Sequence, residues 1–232
     1  MSDIISNTVG IAGMVLQVLA LVLLIRGPLS RYFPLFLYLF TWTGATIAEG
    51  WVLRTYGARD ASYFNVYWGG ELLLDGLLFF LVISLTVRAL EGSPLKPKVV
   101  RFLTIVLITV LALPFVLFES DVFGQRWNQS VAQLLNFGAA VMNLGLWSAL
   151  VMSKPRDHQL LTVSAGLGVA VAGAALTLGV RQFTHHDGET LRVIADSVHR
   201  MSQIASPLIW CYAFRPAKPR LSTPNVATTA VI

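Results

Sequence analysis

Apolar residues along this chain come in long runs, separated by short clusters of charge, proline and glycine. Seven windows stand out, at roughly 8–25, 32–53, 66–87, 100–118, 131–152, 160–180 and 195–214. A hydrocarbon core about 30 Å thick takes about 20 residues of helix to cross, and each window is close to that length. Backbone amides in lipid must find partners within their own segment, so such windows are expected to be helical. The expected fold class is all-α, a polytopic membrane protein formed as a single bundle of seven transmembrane helices. The seventh window is the most diluted, because Asp196, His199, Arg200 and Gln203 fall in its first half.

The segments between the windows agree with this division. Gly27-Pro28, Gly92-Ser93-Pro94 with Pro97, Pro155 and Asp187-Gly188 are turn or helix-end chemistry. The connections are short, about 6 to 14 residues, as antiparallel neighbours require. Pro34, Pro114 and Pro207 lie inside or at the ends of windows, where proline is expected to kink a membrane helix rather than stop it. No internal repeat or linker divides the chain, so residues 1–232 read as one domain, with 215–232 a short tail. The first window follows the acidic Asp3 and lacks both a basic run and a small-residue cleavage site, so it reads as an uncleaved first span.

Composition adds direction to this picture. Charged residues make up 12% and hydrophobic residues 55% of the chain, and there is one cysteine. Soluble domains carry about 25% charged residues, so disorder and a disulfide scaffold are both excluded. Eleven of the 17 basic residues (Arg26, Arg31, Arg88, Lys96, Lys98, Arg101, Lys154, Arg156, Arg215, Lys218 and Arg220) fall on one side of the alternating windows. The other six (Arg54, Arg59, Arg126, Arg181, Arg192 and Arg200) share their side with seven of the twelve acids. Short loops rich in Lys and Arg stay cytoplasmic, so the N-terminus is expected outside and the C-terminus in the cytoplasm. The net charge of +5 is therefore a topology signal with some attraction for anionic lipid. Nucleic acid is not an expected partner, because neither aromatic interleaving nor a recognisable module accompanies the basic residues. The expected location is a cell membrane, of the bacterial inner-membrane type.

Three acids remain inside the windows, Glu49, Glu71 and Asp75. Ionisable groups at membrane depth are costly and usually functional. Glu71 and Asp75 are four residues apart and share a helix face. Tyr38, Trp42, Thr46 and Glu49 form a second stripe; Gln129, Gln133, Asn136, Asn143 and Trp147 a third; Asp196, His199, Gln203, Ser206 and Trp210 a fourth. Four polar stripes are most easily satisfied by facing one interior. With 1.5 Å of rise per residue, Glu49, Glu71, Gln133 and His199 are expected roughly 5 to 10 Å from the outer boundary, with Asp75 and Gln203 a turn deeper. The expectation is an outward-opening, water-accessible cavity in which Glu49, Glu71, Asp75, Asn136, His199 and Gln203 bind a small polar or cationic ligand.

Plainer readings accompany each feature. Asn and Gln in spans often serve only as interhelical glue worth about 1 kcal/mol. Glu49 could reach back to pair with Arg54. Asp75 is too short to reach the interface, so it must be neutralised where it stands, which makes a proton- or cation-linked role the physical consequence. His185 and His186 lie beside Asp187, but adjacent histidines diverge on any regular element, and no resident metal is expected. Glu71, Asp75 and His199 could chelate a cation between helices, although nothing in the spacing demands it. Ala165, Gly166, Gly168, Ala170, Ala172, Gly173, Ala174, Ala175 and Gly179 make the sixth window a close-packing helix. Cys211 reads as inert filling.

Seven helices with an outside N-terminus resemble the microbial rhodopsins and the heptahelical receptors in architecture alone. Retinal needs a lysine in the last span, and Lys96, Lys98, Lys154 and Lys218 all fall in cytoplasmic segments, so no retinal is expected. The span histidines of seven-span zinc hydrolases and of b-type haem proteins are missing, as is the Pro-Gln signature of small sugar transporters. No cofactor is expected and no family is assigned. The expected function is non-enzymatic: a receptor-like or sensory module for a small ligand or cation, with a membrane or cytoplasmic protein partner at the basic face. The alternatives are a proton- or cation-coupled small transporter and an accessory subunit of a larger membrane complex.

Overall fold

The computed structural model describes residues 2–57, 59–94, 96–117, 124–152, 157–183 and 189–215. Among them the chain is all-α, with seven α-helices and no strand. The helices are α1 (Ser2–Arg26), α2 (Phe33–Tyr56), α3 (Ala61–Ala89), α4 (Lys96–Leu117), α5 (Gln125–Met152), α6 (His158–Phe183) and α7 (Glu189–Ala213), with a 3₁₀ turn at Leu29–Tyr32 before α2. Each apolar window falls on one helix, to within a residue at its edges. The helices overrun the windows where end chemistry supports it. Asp60 caps α3 by accepting the Ser62 amide at 2.7 Å, and its hydrogen bonds to Ser62 hold the Asp60 carboxyl below the usual aspartate range. Gly57, at φ 81°, stops α2 while its amide bonds the Leu53 carbonyl. Pro34 sits in the first turn of α2, where its missing N–H costs nothing, whereas α7 runs through Pro207.

Six helices close a ring in the order α1, α2, α3, α5, α6, α7, and α4 packs outside it against α5 and α3. The tightest pair is α6 with α7, and the small residues of α6 explain why. A Cβ at Gly166 would lie 2.6 Å from Trp210 Nε1, and one at Gly173 would meet Ser202. The contact is pinned by polar groups as well. Trp210 Nε1 donates to the Val163 carbonyl at 3.1 Å, and Thr177 Oγ1 donates to the Ala195 carbonyl at 3.1 Å.

The buried apolar residues are unevenly distributed along the bundle axis. The largest fully buried side chains include Leu24, Tyr32, Leu35, Leu39, Phe79, Leu81, Val82, Val163, Leu167 and Trp210. They lie towards the end of the bundle where α1, α3 and α7 finish and α2 and α6 begin, and Val171, also fully buried, stands midway along α6. That same end carries an ionic clasp. Arg31 pairs with Asp157 at 2.6 Å, the Arg88 guanidinium donates to the Arg31 carbonyl, and both arginines flank the Tyr32 ring. Tyr32 in turn meets Phe214 edge-on at 5.3 Å.

Two helical stretches among the described residues, Ala61–Ala89 and His158–Thr177, are long and apolar enough to cross a membrane; Gly10–Arg26 is apolar but shorter. Polar stripes dilute α5 and α7, through Gln129, Gln133, Asn136 and Asn143 on the first and Asp196, His199 and Gln203 on the second. Membrane residence is thus weakly indicated by helix composition.

Candidate functional site

Above the apolar end, the ring encloses a cavity of about 70 Å³. The helical repeat selects its walls. Glu71, Leu74, Asp75 and Leu78 recur at steps of three, one and three on α3, and His199, Ser202, Gln203 and Ser206 do the same on α7. Tyr38 and Trp42, one turn apart, line it from α2, and Asn136 from α5. Ala170 and Ala174 form the α6 wall. A helix read from its composition as a packing surface thus also bounds the cavity.

Five of the six candidate residues, Glu71, Asp75, Asn136, His199 and Gln203, line this one cavity. Glu49 does not. It is half-buried at the rim, with Oε1 3.3 Å from where a Cβ on Gly70 would sit. No ion pair joins it to Arg54; the charge acting on it is that of Glu71, which also acts on Asp75 and Tyr38. Ser202, absent from the sequence stripes, lies three residues after His199 and four before Ser206 and belongs to the α7 face. Its neutral side chain gave no reason to single it out.

At the centre, Asn136 Nδ2 donates to Asp75 Oδ1 at 2.7 Å and to the Ala132 carbonyl at 3.0 Å. Asp75 is 7% and Asn136 2% exposed. Asp75 Oδ2 and Asn136 Oδ1 are buried and have no hydrogen-bond partner in the protein. Across the cavity, Gln203 Nε2 lies 2.8 Å from His199 Nε2, so an amide N–H donates to the unprotonated ring nitrogen. No lysine or arginine lines the walls.

The polar stripe of α5 divides. Asn136 enters the cavity, Asn143 is buried against Gly168 of α6, and Gln129 and Trp147 are exposed. Among the described residues, no three or more His, Cys, Asp and Glu side chains gather as metal ligands, so Glu71, Asp75 and His199 do not form a chelate by themselves. His185, His186 and Asp187 lie outside the described residues. Cys211, half-buried, donates to the Leu16 carbonyl at 3.5 Å in the contact between α7 and α1.

Comparison with known proteins leaves the site to speak for itself. No protein-family model, no curated protein and no solved structure matches this chain. What can be said of function rests on the chemistry of the walls: two acids, two amides, three hydroxyls, an imidazole and an indole, with no lysine or arginine among the described lining residues.

Proposed function

We propose that this chain is a seven-span integral membrane protein and a receptor-like module that binds a small polar or cationic species in the cavity around Asp75. The helices of 22 to 29 residues are roughly 33 to 43 Å long, enough for a core about 30 Å thick. Val15, Ile47, Phe80, Ile108, Leu144, Leu176 and Met201, one from each of the seven helices, are exposed. Apolar exposure on every side suits a lipid-facing surface better than a soluble monomer. With the basic end in the cytoplasm, the cavity lies in the outer half, and a cell membrane of the bacterial inner-membrane type is the proposed location.

The observation that carries the binding proposal is the convergence of Glu71, Asp75, Asn136, His199 and Gln203, from three helices, on one partly open cavity. Sites for drug-sized ligands hold about 300–1,000 Å³. At about 70 Å³ the cavity suits an ion or a few waters rather than a larger organic molecule. Fully buried Phe79, Leu81 and Val82 follow Asp75 on α3 and fill the route towards the basic end. That apolar plug favours one-sided binding over passage. A second reading, a proton- or cation-coupled transporter, draws support from the acids Glu49, Glu71 and Asp75, since Glu71 lies in electrostatic reach of each of the other two.

Reconstitution separates the two. Purified protein in liposomes is expected to show no cation or proton flux above empty vesicles, while its thermal stability responds to a bound species and loses that response in Asp75→Asn. Flux abolished by Asp75→Asn would instead establish the transporter.

A further inference from the structure

Four oxygens on the walls around Asp75 share one kind of hydrogen-bonding capacity. Asn136 has both amide hydrogens engaged, on Asp75 Oδ1 and on the Ala132 carbonyl, which leaves its oxygen to the surroundings. Ser202 Oγ donates to the His199 carbonyl at 2.7 Å, and Ser206 Oγ donates to the Ser202 carbonyl at 2.9 Å. Each hydroxyl has committed its only proton to the backbone and keeps lone pairs alone. Both serines are buried, as are Asp75 and Asn136, and all four line the same cavity. Asp75 Oδ2 and Asn136 Oδ1 lack partners in the protein, and both are oxygens able to accept.

Four accepting oxygens on the walls, one of them on a deeply buried carboxylate, call for a hard cation of single charge. We infer that the cavity is an alkali-metal cation site, with Asp75 Oδ2 as the charged ligand and Asn136 Oδ1, Ser202 Oγ and Ser206 Oγ as neutral ones. This inference rests on the reading of the cavity as a ligand site and names its occupant. A bound anion would meet no free donor among these four groups. A transition metal or calcium would want several His, Cys or carboxylate ligands together, and among the described residues no such group forms. A water molecule satisfies lone pairs but leaves the carboxylate charge uncompensated in a low-dielectric site. The remaining competitor is a proton, and the titratable groups on the walls that would share it are Glu71 beside Asp75 on α3, Tyr38 on α2 and His199 on α7; the walls from α5 and α6 offer none.

The test uses the full chain in detergent, exchanged into choline chloride and titrated with NaCl at constant total salt. Melting temperature and sodium-23 relaxation are the readouts, with LiCl and KCl in parallel. A saturable rise in melting temperature and a competable sodium signal are expected. Asp75→Asn should weaken sodium binding about 30-fold or more while melting no lower in choline chloride, because it removes a buried charge. Ser206→Ala, which leaves the Asp75–Asn136 pair intact, should weaken it about three- to tenfold and serves if Asp75→Asn does not fold. A sodium response retained in both variants, or identical behaviour in choline, lithium, sodium and potassium, would overturn the inference. Indifference to cations combined with stabilisation by acid or by a small polar solute, lost in Asp75→Asn, would overturn the cation site and leave the binding cavity standing. No response to cations, acid or solutes, with Glu71→Gln/Asp75→Asn as stable as the parent, would remove the cavity proposal as well.

Discussion

At the scale of single residues, the Asp75–Asn136 contact joins α3 to α5 through a 2.7 Å hydrogen bond between side chains more than nine-tenths buried. Removing one partner of such a pair strands the other, whereas removing both strands nothing. Asn136→Leu is therefore expected to destabilise by about 1–3 kcal/mol, and Asp75→Leu/Asn136→Leu by less than Asn136→Leu alone. Denaturant titration of the single and double variants in micelles checks this, and additive losses would contradict it. Asp75 was legible in the sequence because an acid that can reach neither interface has few places to go. Asn136 was legible as part of a stripe, but its partner was not, since helical spacing fixes a face and says nothing about the neighbour across it. Glu49 shows the limit of the same reasoning. It shares an angular stripe with Tyr38 and Trp42, yet it stands about 10 Å further along the helix axis than Trp42, which takes it out of the cavity to the rim.

Between elements, α6 combines two roles that follow from its lack of side-chain bulk. Gly166 and Gly173 let α7 approach closely, and Ala170 and Ala174 leave room for the cavity. Gly166→Ala would drive a methyl group against the Trp210 indole, which is itself buried and bonded to Val163. A loss of about 1–3 kcal/mol is expected. Gly44 on α2 has nothing within 4 Å of an added Cβ, so Gly44→Ala should be neutral or stabilise by up to about 1 kcal/mol through helix propensity. Thermal unfolding of the two variants side by side separates close packing from backbone entropy. The packing character of α6 could be read from composition, but its partner could not. Nor could the displacement of α4. Short connections limit how far apart sequential helices can lie, yet α3 packs directly on α5 and leaves α4 outside the ring.

Across the whole molecule, the largest fully buried apolar side chains gather towards one end of the bundle axis. The apolar plug and the clasp of Arg31, Asp157 and Arg88 occupy one end, and the cavity lies beyond Asp75. The windows of the sequence located all seven helices, because length and apolar continuity are local properties. The closing of the ring depends on long-range packing and was not readable. The proposed orientation yields a direct expectation. A cysteine introduced at Ser93, between α3 and α4, should react with a membrane-impermeant maleimide only from the cytoplasmic side, and one at Ser62, where α3 begins, only from outside. Cys211→Ser supplies the background. Labelling of both from one side would contradict the alternation of spans.

A bundle clasped at one end and hollow near its middle is stiffened unevenly along its axis, like a fork whose tines share a rigid handle. A change in helix spacing is then easiest at the level of the cavity, where Ala170 and Ala174 leave room, and hardest at the clasp. Any change in spacing among the tines reaches the far side as a tilt of helix ends, magnified or reduced by the lever arms on either side of the plug. In the proposed orientation Arg31 and Asp157 mark the cytoplasmic end, and a tilt arriving there would need no opening through the middle.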